Sequence, residues 1–332
     1  MKIFNAMPKS NTTDSFFTKK ARAYLESLGV VKWNETDHHL SPVELLEYAA
    51  DAEVLITGWG DGPFTKETIA KLTELRLIVH TGGTIASVLT QDVYELGIPV
   101  VSGNDIFAKS VAEGCLCYIL CALRRIEYFA DMMRKGKWRE HDFLNRGLIG
   151  KKVGIVGFGS IAKYFVELIR WFNCDVLIYS SHLSASEAES LGCRVAELEE
   201  IFTTCDVVSV HASLTSKTKG MINRSLLEKL NKDALFVNTS RGEVVDETAL
   251  FELLDQGRFY AALDVFTDEP LNPEASIRKC ENVLLIPHMG GPTIDMREQV
   301  ALEVCRDIYH LQQGLKLRYE INSASAKRMS KH

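Results

Sequence analysis

The sequence predicts an α/β protein of two domains, each a parallel β-sheet with helices packed on its faces. Segments with the pattern of buried strands alternate with helical segments through the first hundred residues, and the alternation resumes from Lys152. This rhythm is typical of parallel sheets, because parallel strands need a crossover connection that is usually a helix. A long helical stretch, at about residues 110–134, lies between the two series.

Composition and charge limit the classes of function. The chain has 332 residues, of which 46% are hydrophobic and 25% charged, as in a globular protein. Its net charge of −6 and its lack of a long Lys/Arg tract argue against nucleic-acid or membrane-surface binding. No apolar run approaches the roughly 20 residues that span a bilayer, and the N-terminus lacks a signal-peptide core. We therefore expect a cytoplasmic protein without nucleic-acid or membrane partners.

The eight cysteines are scattered and form no CxxC pair. Cys115, Cys117 and Cys121 fall in one helical stretch, but no histidine or second cysteine cluster completes a tetrahedral metal site. Burial as small apolar side chains is the favoured interpretation. We expect reduced thiols and no bound metal.

The first series of elements predicts a smaller, flavodoxin-like domain. Its predicted strands are Lys2–Asn5, Val30–Trp33, Val54–Thr57, Leu75–His80 and Pro99–Ser102. Its predicted helices are Thr13–Leu28, Pro42–Ala50 and Thr65–Leu72. Ser41 before Pro42 has the pattern of an N-cap and first helical residue. The last predicted helix, Ile294–Leu311, would pack back on this domain, so that it comprises residues 1–102 and 291–322.

The second series predicts a doubly wound Rossmann domain over residues 103–290. Its predicted strands are Val153–Val156, Asp175–Tyr179, Asp206–Val210, Ala234–Asn238, Ala261–Asp264 and Val283–Ile286. Apolar runs of this length favour a parallel sheet that is covered on both faces. The polar tail, residues 323–332, is expected to be mobile.

The segment VGIVGFGSIA, residues 153–162, reads as a strand, a glycine turn and the start of a helix. Gly157 permits the tight turn, Gly159 lacks a side chain that would block a pyrophosphate, and Ala162 is small enough for close helix–strand packing. The N-terminus of the following helix would direct its N–H groups at the phosphates. In this context the pattern predicts dinucleotide binding rather than an ordinary βα turn.

Three charged residues follow later strands of the same domain: Arg241 in NTSRG, Glu269 in LDVFTDEP and His288 in IPHMGGPT. Residues just beyond the carboxyl ends of strands line the ligand crevice of an open α/β sheet. A histidine can exchange the hydroxyl proton when a hydride leaves or enters a carbinol carbon. A carboxylate beside it would orient the ring and favour its protonated form, and a guanidinium can clamp a substrate carboxylate.

In addition, the sequence resembles the D-isomer-specific 2-hydroxyacid dehydrogenases, specifically phosphoglycerate dehydrogenase-like members without a regulatory domain. The resemblance covers about residues 50–310 and rests on blocks that follow the family's order. These blocks are VGIVGFGSIA, SVHASLTSKTKGMIN, VNTSRGEVVDETAL, AALDVFTDEPL and IPHMGGPT. It implies an NAD(P)-dependent oxidoreductase that interconverts a small 2-oxo acid and its D-2-hydroxy acid.

The resemblance also implies roles for individual residues. Arg241 would bind the substrate, Glu269 would act on the histidine, and His288 would be the general acid/base. Together with the glycine turn, the expected cofactor-binding residues are Gly157, Phe158, Gly159, Ser160, Ile161, Ser180, Ser181, His211, Ala212, Thr239, Ser240, Arg241, Asp264, His288 and Gly290. The expected substrate-binding residues are Gly82, Gly83 and Thr84 of HTGGTIASV, with Arg241 and His288.

Two departures from the family pattern leave cofactor and substrate open. Ser180, Ser181 and His182 follow Tyr179, where the family often has an aspartate for the ribose hydroxyls. Without that carboxylate a 2′-phosphate is not repelled, yet no arginine stands there to attract it, so the cofactor is NAD or NADP. The substrate loop reads GGT where many members read GVGYDN, so a substrate cannot be carried over from them.

Two other functions on the same scaffold are considered. An NAD(H)-sensing protein of the corepressor type would retain the cofactor site without turnover. Formate oxidation transfers no hydroxyl proton, and Glu269 stands where formate dehydrogenases have glutamine, which argues against it. The helix near residues 110–134 and Trp138 would suit a homodimer interface, as the resemblance also implies. The alternative is that this helix simply packs against its own domain.

Overall fold

The computed structural model describes residues 1–138 and 145–330, and within them the chain forms two compact units. The first unit comprises Met1–Ala108 and Pro292–His332, and the second comprises Lys109–Gly291. The sequence prediction placed the first boundary at residue 102. The structure places it six residues later, inside a continuous helix, where the sequence has no break.

The first unit contains a parallel sheet of five strands. The strands are β1 (Lys2–Asn5), β2 (Val30–Trp33), β3 (Val54–Thr57), β4 (Leu77–His80) and β5 (Val100–Ser102). The order β2-β1-β3-β4-β5 is that of flavodoxin-like sheets. The helices that connect these strands are α1 (Asn11–Phe16), α2 (Lys19–Leu28), α3 (Pro42–Tyr48) and α4 (Lys66–Ile69).

Local capping determines where these helices start. Ser41 accepts the Glu44 N–H, and Glu44 reaches back to the Ser41 N–H, so that a capping box starts α3 at Pro42. The prediction of one helix over Thr13–Leu28 is wrong. Thr18 interrupts that helix, because its hydroxyl caps α2 and also bonds Glu298, which requires extended backbone at this residue.

The second unit begins in α5 (Asn104–Arg124), whose first residues belong to the first unit. Its strands are β6 (Lys152–Val156), β7 (Asp175–Tyr179), β8 (Arg194–Val195), β9 (Val207–Val210), β10 (Leu235–Asn238), β11 (Tyr260–Leu263) and β12 (Val283–Leu285). Its remaining helices are α6 (Ile126–Arg134), α7 (Ser160–Ile169), α8 (Ala185–Ser190), α9 (Leu198–Thr204), α10 (Arg224–Leu227) and α11 (Glu247–Asp255).

All seven strands are parallel, in the order β12-β11-β10-β9-β6-β7-β8. This is the doubly wound Rossmann order with one further strand, and the strand order reverses between β6 and β9. The short strand β8 was not predicted, since two residues give no detectable pattern. The predicted helix at residues 110–134 is interrupted at Arg125, whose φ of 51° lies in the left-handed region.

The chain then returns to the first unit with α12 (Ile294–Gln312) and α13 (Ser323–Ala326). The side chains of Val300, Val304 and Ile308 are fully buried in the apolar core that β1, β3 and β4 share with α12. The mobile tail expected from residue 323 differs from the structure. Ala326 is buried in the first unit's other apolar core, and the Gln91 side chain donates to Ser323. The polar composition of the tail gave no sign that it packs on this unit. Residues 331 and 332 lie outside the described residues.

One described helix, α5, is long and apolar enough to cross a membrane by length and composition, contrary to the expectation that no segment would qualify. Half of its most apolar window is buried inside the structure, and Ala112, Cys115 and Ile119 pack in the core of the second unit. Core helices of globular proteins have the same composition, so this helix alone is weak evidence for a membrane span.

Candidate active site

The glycine turn sits where the strand order of the second unit reverses. Gly157 follows β6 with a φ of +93°, and its N–H donates to the Tyr179 carbonyl at 2.8 Å. A Cβ at this position would lie 2.6 Å from the Cα of Ala212, directly beyond β9. Only glycine fits where these two backbone segments come so close together.

The next turn residue leaves space rather than filling it. A Cβ on Gly159 would meet no atom within 4 Å. Gly159 is also the N-cap residue of α7 and, having no side chain, makes no capping hydrogen bond to the helix. An open approach to a helix N-terminus suits a pyrophosphate, so the residues present fit a dinucleotide. Phe158 lies between the glycines, and Ser160 and Ile161 begin α7.

The other expected cofactor residues lie at the same edge of this sheet. Ser180 and Ser181 follow β7, His211 and Ala212 follow β9, and Thr239 and Ser240 follow β10. The Ser240 hydroxyl donates to the Ala212 carbonyl at 2.8 Å, which ties two of these loops together. The strand-end argument therefore placed these residues in one region.

The two glycines of the turn allow a matched test. We expect Gly157→Ala to lower the free energy of unfolding by at least about 2 kcal/mol, because the added Cβ clashes with backbone at a positive φ. Gly159→Ala should leave stability within about 0.5 kcal/mol but weaken dinucleotide binding. Urea unfolding and fluorescence titration with NADH would measure both effects. Equal stability losses for the two variants would contradict this account.

Arg241 is positioned by a tight network after β10. The Asn238 side chain accepts the Ser240 N–H at 3.0 Å and donates to the Arg241 carbonyl at 2.9 Å. Arg241 Nη1 donates to the Ser240 carbonyl at 2.6 Å. Burial lowers the pKa of the Arg241 guanidinium, and the nearby Glu269 carboxylate opposes this shift. An arginine keeps its charge under such a shift, so a partly desolvated cation stands at this strand end.

Glu269 and His288 form a direct pair. His288 Nδ1 lies 2.6 Å from Glu269 Oε2, and Glu269 Oε1 accepts the Phe266 N–H at 3.0 Å. The carboxylate thus fixes one ring nitrogen and leaves Nε2 as the nitrogen available for chemistry. Gly242 packs so closely on the Phe266–Thr267 backbone that no side chain fits there, which brings the Arg241 segment next to the Glu269 segment.

Asp264 holds the turn that carries His288. Its two carboxylate oxygens accept the N–H groups of Met289 at 2.7 Å and Gly290 at 2.8 Å, and its carbonyl accepts the His288 N–H at 2.8 Å. His288 itself has a φ of 53°. Burial raises the pKa of Asp264, and the two backbone donors oppose this shift. The expected contact of Asp264 with the cofactor stays a prediction.

His211 is neutral and structural in this arrangement. Its Nε2 lies 2.9 Å from the Ser209 hydroxyl, which also approaches the buried Cys115 thiol at 3.3 Å. Burial lowers the pKa of His211 to about 4. His288 is therefore the histidine of this edge with a carboxylate partner.

The depressed pKa of His211 has a consequence for acid stability. Below pH 6.5 the unfolded chain binds a proton that the folded chain refuses until about pH 4, so stability falls as the pH drops through this window. The shift corresponds to at most ~3 kcal/mol. We expect the free energy of unfolding of His211→Asn, measured in urea, to fall less between pH 7 and 4.5 than that of wild type. The exposed His182→Asn serves as control, and identical pH dependence in wild type and His211→Asn would refute the account.

In the first unit, the predicted substrate loop follows β4. The Ser102 hydroxyl donates to the carbonyls of Gly82 at 3.2 Å and Gly83 at 2.8 Å. Within the described part of the chain, the N–H groups of these two glycines have no acceptor. The Thr84 hydroxyl donates to the Ser330 carbonyl at 2.8 Å. With its carbonyls bound and two N–H groups available, the loop can receive an anion.

Sequence reasoning missed several residues that shape these sites. Ser102 ends β5 and Trp59 follows β3, so the strand-end rule could have found both. His80 lies under Gly82, close enough to exclude a side chain there. Asp264 was assigned to the cofactor, while its hydrogen bonds to residues 289 and 290 have no signature in sequence.

The Rossmann order and the glycine turn define the second unit as a dinucleotide-binding domain. Residues 116–290 match the sequence model of the NAD-binding domain of the D-isomer-specific 2-hydroxyacid dehydrogenases. The chain belongs to this family, and its cofactor is NAD or NADP. In residues 1–138 and 145–330 there is no group of three or more side chains that could hold a metal ion.

Individual relatives carry different names. A D-3-phosphoglycerate dehydrogenase of Methanocaldococcus jannaschii is 32% identical over 87% of this chain and 55% of its own length. A hydroxypyruvate reductase of Thermotoga maritima is 30% identical over 82% of this chain and 89% of its own length. The crystal structure of a phosphoglycerate oxidoreductase from Rhizobium etli aligns with a TM-score of 0.80, at 25% identity, over 96% of this chain and 97% of that one. The chain spans about half the length of the first curated relatives it matches.

Proposed function

We propose that the protein is an NAD(P)-dependent oxidoreductase that interconverts a small 2-oxo acid and its D-2-hydroxy acid. The observation that carries the proposal is the 2.6 Å pair of His288 and Glu269, which adjoins the Arg241 segment on a dinucleotide-binding unit. These groups supply what the reaction needs beyond the cofactor: a proton donor, a fixed orientation for that donor, and a cation for the substrate. The family membership supports the same reaction class.

Each of these residues has a role that its contacts favour. The reduced cofactor, when bound, supplies the hydride. His288, oriented through Nδ1 by Glu269, donates the proton to the forming hydroxyl from Nε2 and takes it back in the oxidation. Arg241 binds the substrate carboxylate and polarises the adjacent carbonyl. In the first unit, we assign the N–H groups of Gly82 and Gly83 to a carboxylate, since the Ser102 hydroxyl holds their carbonyls.

Replacing the acid/base should separate chemistry from cofactor binding. We expect His288→Asn to lower kcat about 10²- to 10⁴-fold, with the NADH dissociation constant within about twofold of wild type. Glu269→Gln keeps a hydrogen-bonding group but loses the charge, so its kcat should lie between those of wild type and His288→Asn. Turnover is measured as oxidation of the reduced cofactor at 340 nm. The substrates tested are glyoxylate, pyruvate, hydroxypyruvate, phenylpyruvate and branched 2-oxo acids.

The control for this series is His38→Asn, an exposed histidine of the first unit that pairs with Glu44. It should change neither turnover nor NADH binding. Full turnover in His288→Asn would contradict the proposal. No turnover of any 2-oxo acid by wild type, with tight cofactor binding, would favour the NAD(H)-sensing alternative.

The end of β7 offers a test of cofactor choice. Ser180 and Ser181 place hydroxyls where a carboxylate would repel a 2′-phosphate, and the Ser180 hydroxyl accepts the His182 N–H at 3.2 Å. We expect Ser180→Asp to raise the ratio of NADH to NADPH turnover about 10-fold or more, by raising the KM for NADPH. Ser186→Asp, on exposed α8, is the control. An unchanged ratio would mean that the ribose does not bind at this strand end.

The homodimer, with an interface around the helical stretch 110–134 and Trp138, and the cytoplasmic location remain predictions. Trp138 is 69% exposed in the single chain. An apolar ring of this size at the surface agrees with an interface.

A further inference from the structure

Arg297, in the first turns of α12, is an unusual cation of the first unit. Its Nη1 donates to the Ser15 hydroxyl at 3.1 Å. Its guanidinium carbon lies 5.5 Å from the Trp59 ring centroid and 5.8 Å from that of Phe16. The side chain thus lies against an aromatic wall made by these two rings, which meet edge to face at 5.2 Å.

Within residues 1–138 and 145–330, Arg297 makes no ion pair, and its Nε is buried without a hydrogen-bond partner. Other arginines of the same unit do pair with carboxylates: Arg22 with Asp14, Arg76 with Glu53, and both Arg306 and Arg318 with Glu303. A buried donor without an acceptor costs free energy unless something else satisfies it.

The aromatic wall adjoins the substrate loop of the same unit. A Cβ on Gly82 would lie 3.0 Å from Trp59 Cδ1, so the loop and Arg297 contact the same indole ring. The turn that presents Trp59 is fixed by buried Asp61, whose carboxylate accepts the Gly58 N–H at 2.7 Å and meets His39 Nδ1 at 2.7 Å. Trp59 is nevertheless 40% exposed, so one part of the ring remains accessible.

We propose that Arg297 and Trp59 form the subsite for the far end of the substrate, and that it takes a 2-oxo acid bearing a second anionic group, a carboxylate or a phosphate. This rests on the proposed function, in which the amides of Gly82 and Gly83 receive the first carboxylate. A chain of a few carbons lying along the indole would carry its distal anion to Arg297. The anion would there accept from the guanidinium, which already lies beside two apolar rings and is weakly hydrated.

Arg22, an arginine with a structural role on an aromatic ring of the same unit, makes different contacts from Arg297. Arg22 lies 4.0 Å from the centroid of Trp33, yet it also pairs with Asp14 at 2.9 Å and donates through Nε to the Phe17 carbonyl at 3.0 Å. Its donors are occupied and its charge is balanced. Arg22 therefore provides a matched control in the same unit.

The kinetic test compares acids that differ only in the distal group: 2-oxoglutarate against 2-oxopentanoate, and 3-phosphonooxypyruvate against hydroxypyruvate. We expect wild type to prefer the anionic member of one pair by about 10-fold or more in kcat/KM. The pair that shows the preference identifies carboxylate or phosphate. Arg297→Gln should lower kcat/KM for that anionic acid about 10- to 100-fold and leave its neutral counterpart within about threefold.

Two further variants keep the kinetic result interpretable. Arg297→Lys retains the cation and should keep most of the preference, whereas Arg22→Gln should alter neither acid. A wild-type preference for the neutral acids, or an equal loss on both members in Arg297→Gln, would overturn the proposal. If Arg297→Gln does not fold, Arg297→Lys decides: any partial loss in kcat/KM should fall on the anionic acid only, and an equal loss on both acids would overturn the proposal.

A binding measurement separates this proposal from the proposed function. Calorimetry on the NAD-loaded protein would compare D-2-hydroxyglutarate with D-2-hydroxypentanoate, and D-3-phosphoglycerate with D-glycerate. Tighter binding of an anionic member that is lost in Arg297→Gln supports the subsite even if no 2-oxo acid is turned over. Equal binding within both pairs overturns the subsite even if turnover is found.

Discussion

The buried carboxylate of Asp264 is the interaction on which the reacting end of the second unit depends. A carboxylate removed from water is costly unless hydrogen bonds replace its hydration. Here the N–H groups of Met289 and Gly290 do so, and the Asp264 carbonyl takes the N–H of His288. These bonds stabilise a left-handed residue at 288, a conformation that a histidine rarely adopts. With the backbone held in this way, the ring meets Glu269 at 2.6 Å.

The same edge of the sheet assigns different tasks to chemically similar groups. His211 and His288 both follow strands of this unit, but burial keeps His211 neutral to about pH 4, while His288 has a carboxylate at 2.6 Å. Asp264 and Glu269 divide in the same way: one spends its oxygens on backbone amides, and the other holds a ring nitrogen while also accepting the Phe266 N–H. Environment, more than residue type, decides which of each pair can take part in proton transfer.

Strand positions were predicted well because buried parallel strands carry their signal locally, in apolar runs such as 54–57 and 153–156. Two of the errors fall where a segment also contacts a distant part of the chain. Thr18 caps α2 and its hydroxyl also bonds Glu298, and the tail contacts Gln91 and Thr84. The residues Arg241, Glu269 and His288 were found from strand ends and family blocks. Ser102 was overlooked although it ends a strand, and Arg297 was not found because its role rests on contacts that no sequence window contains.

The residues proposed for the reaction chemistry and those proposed for substrate choice lie in different parts of this chain. The match to the family's NAD-binding domain covers residues 116–290, which lie within the second unit and include Arg241, Glu269 and His288. Relatives near 30% identity nevertheless carry the names of phosphoglycerate dehydrogenase, hydroxypyruvate reductase and glyoxylate reductase. Such names differ in substrate and not in the transfer of a hydride and a proton. The features that distinguish one substrate from another are then to be sought in the first unit, where the loop at Gly82 contacts Trp59. Arg297, which has no carboxylate partner among the described residues, lies beside the same ring.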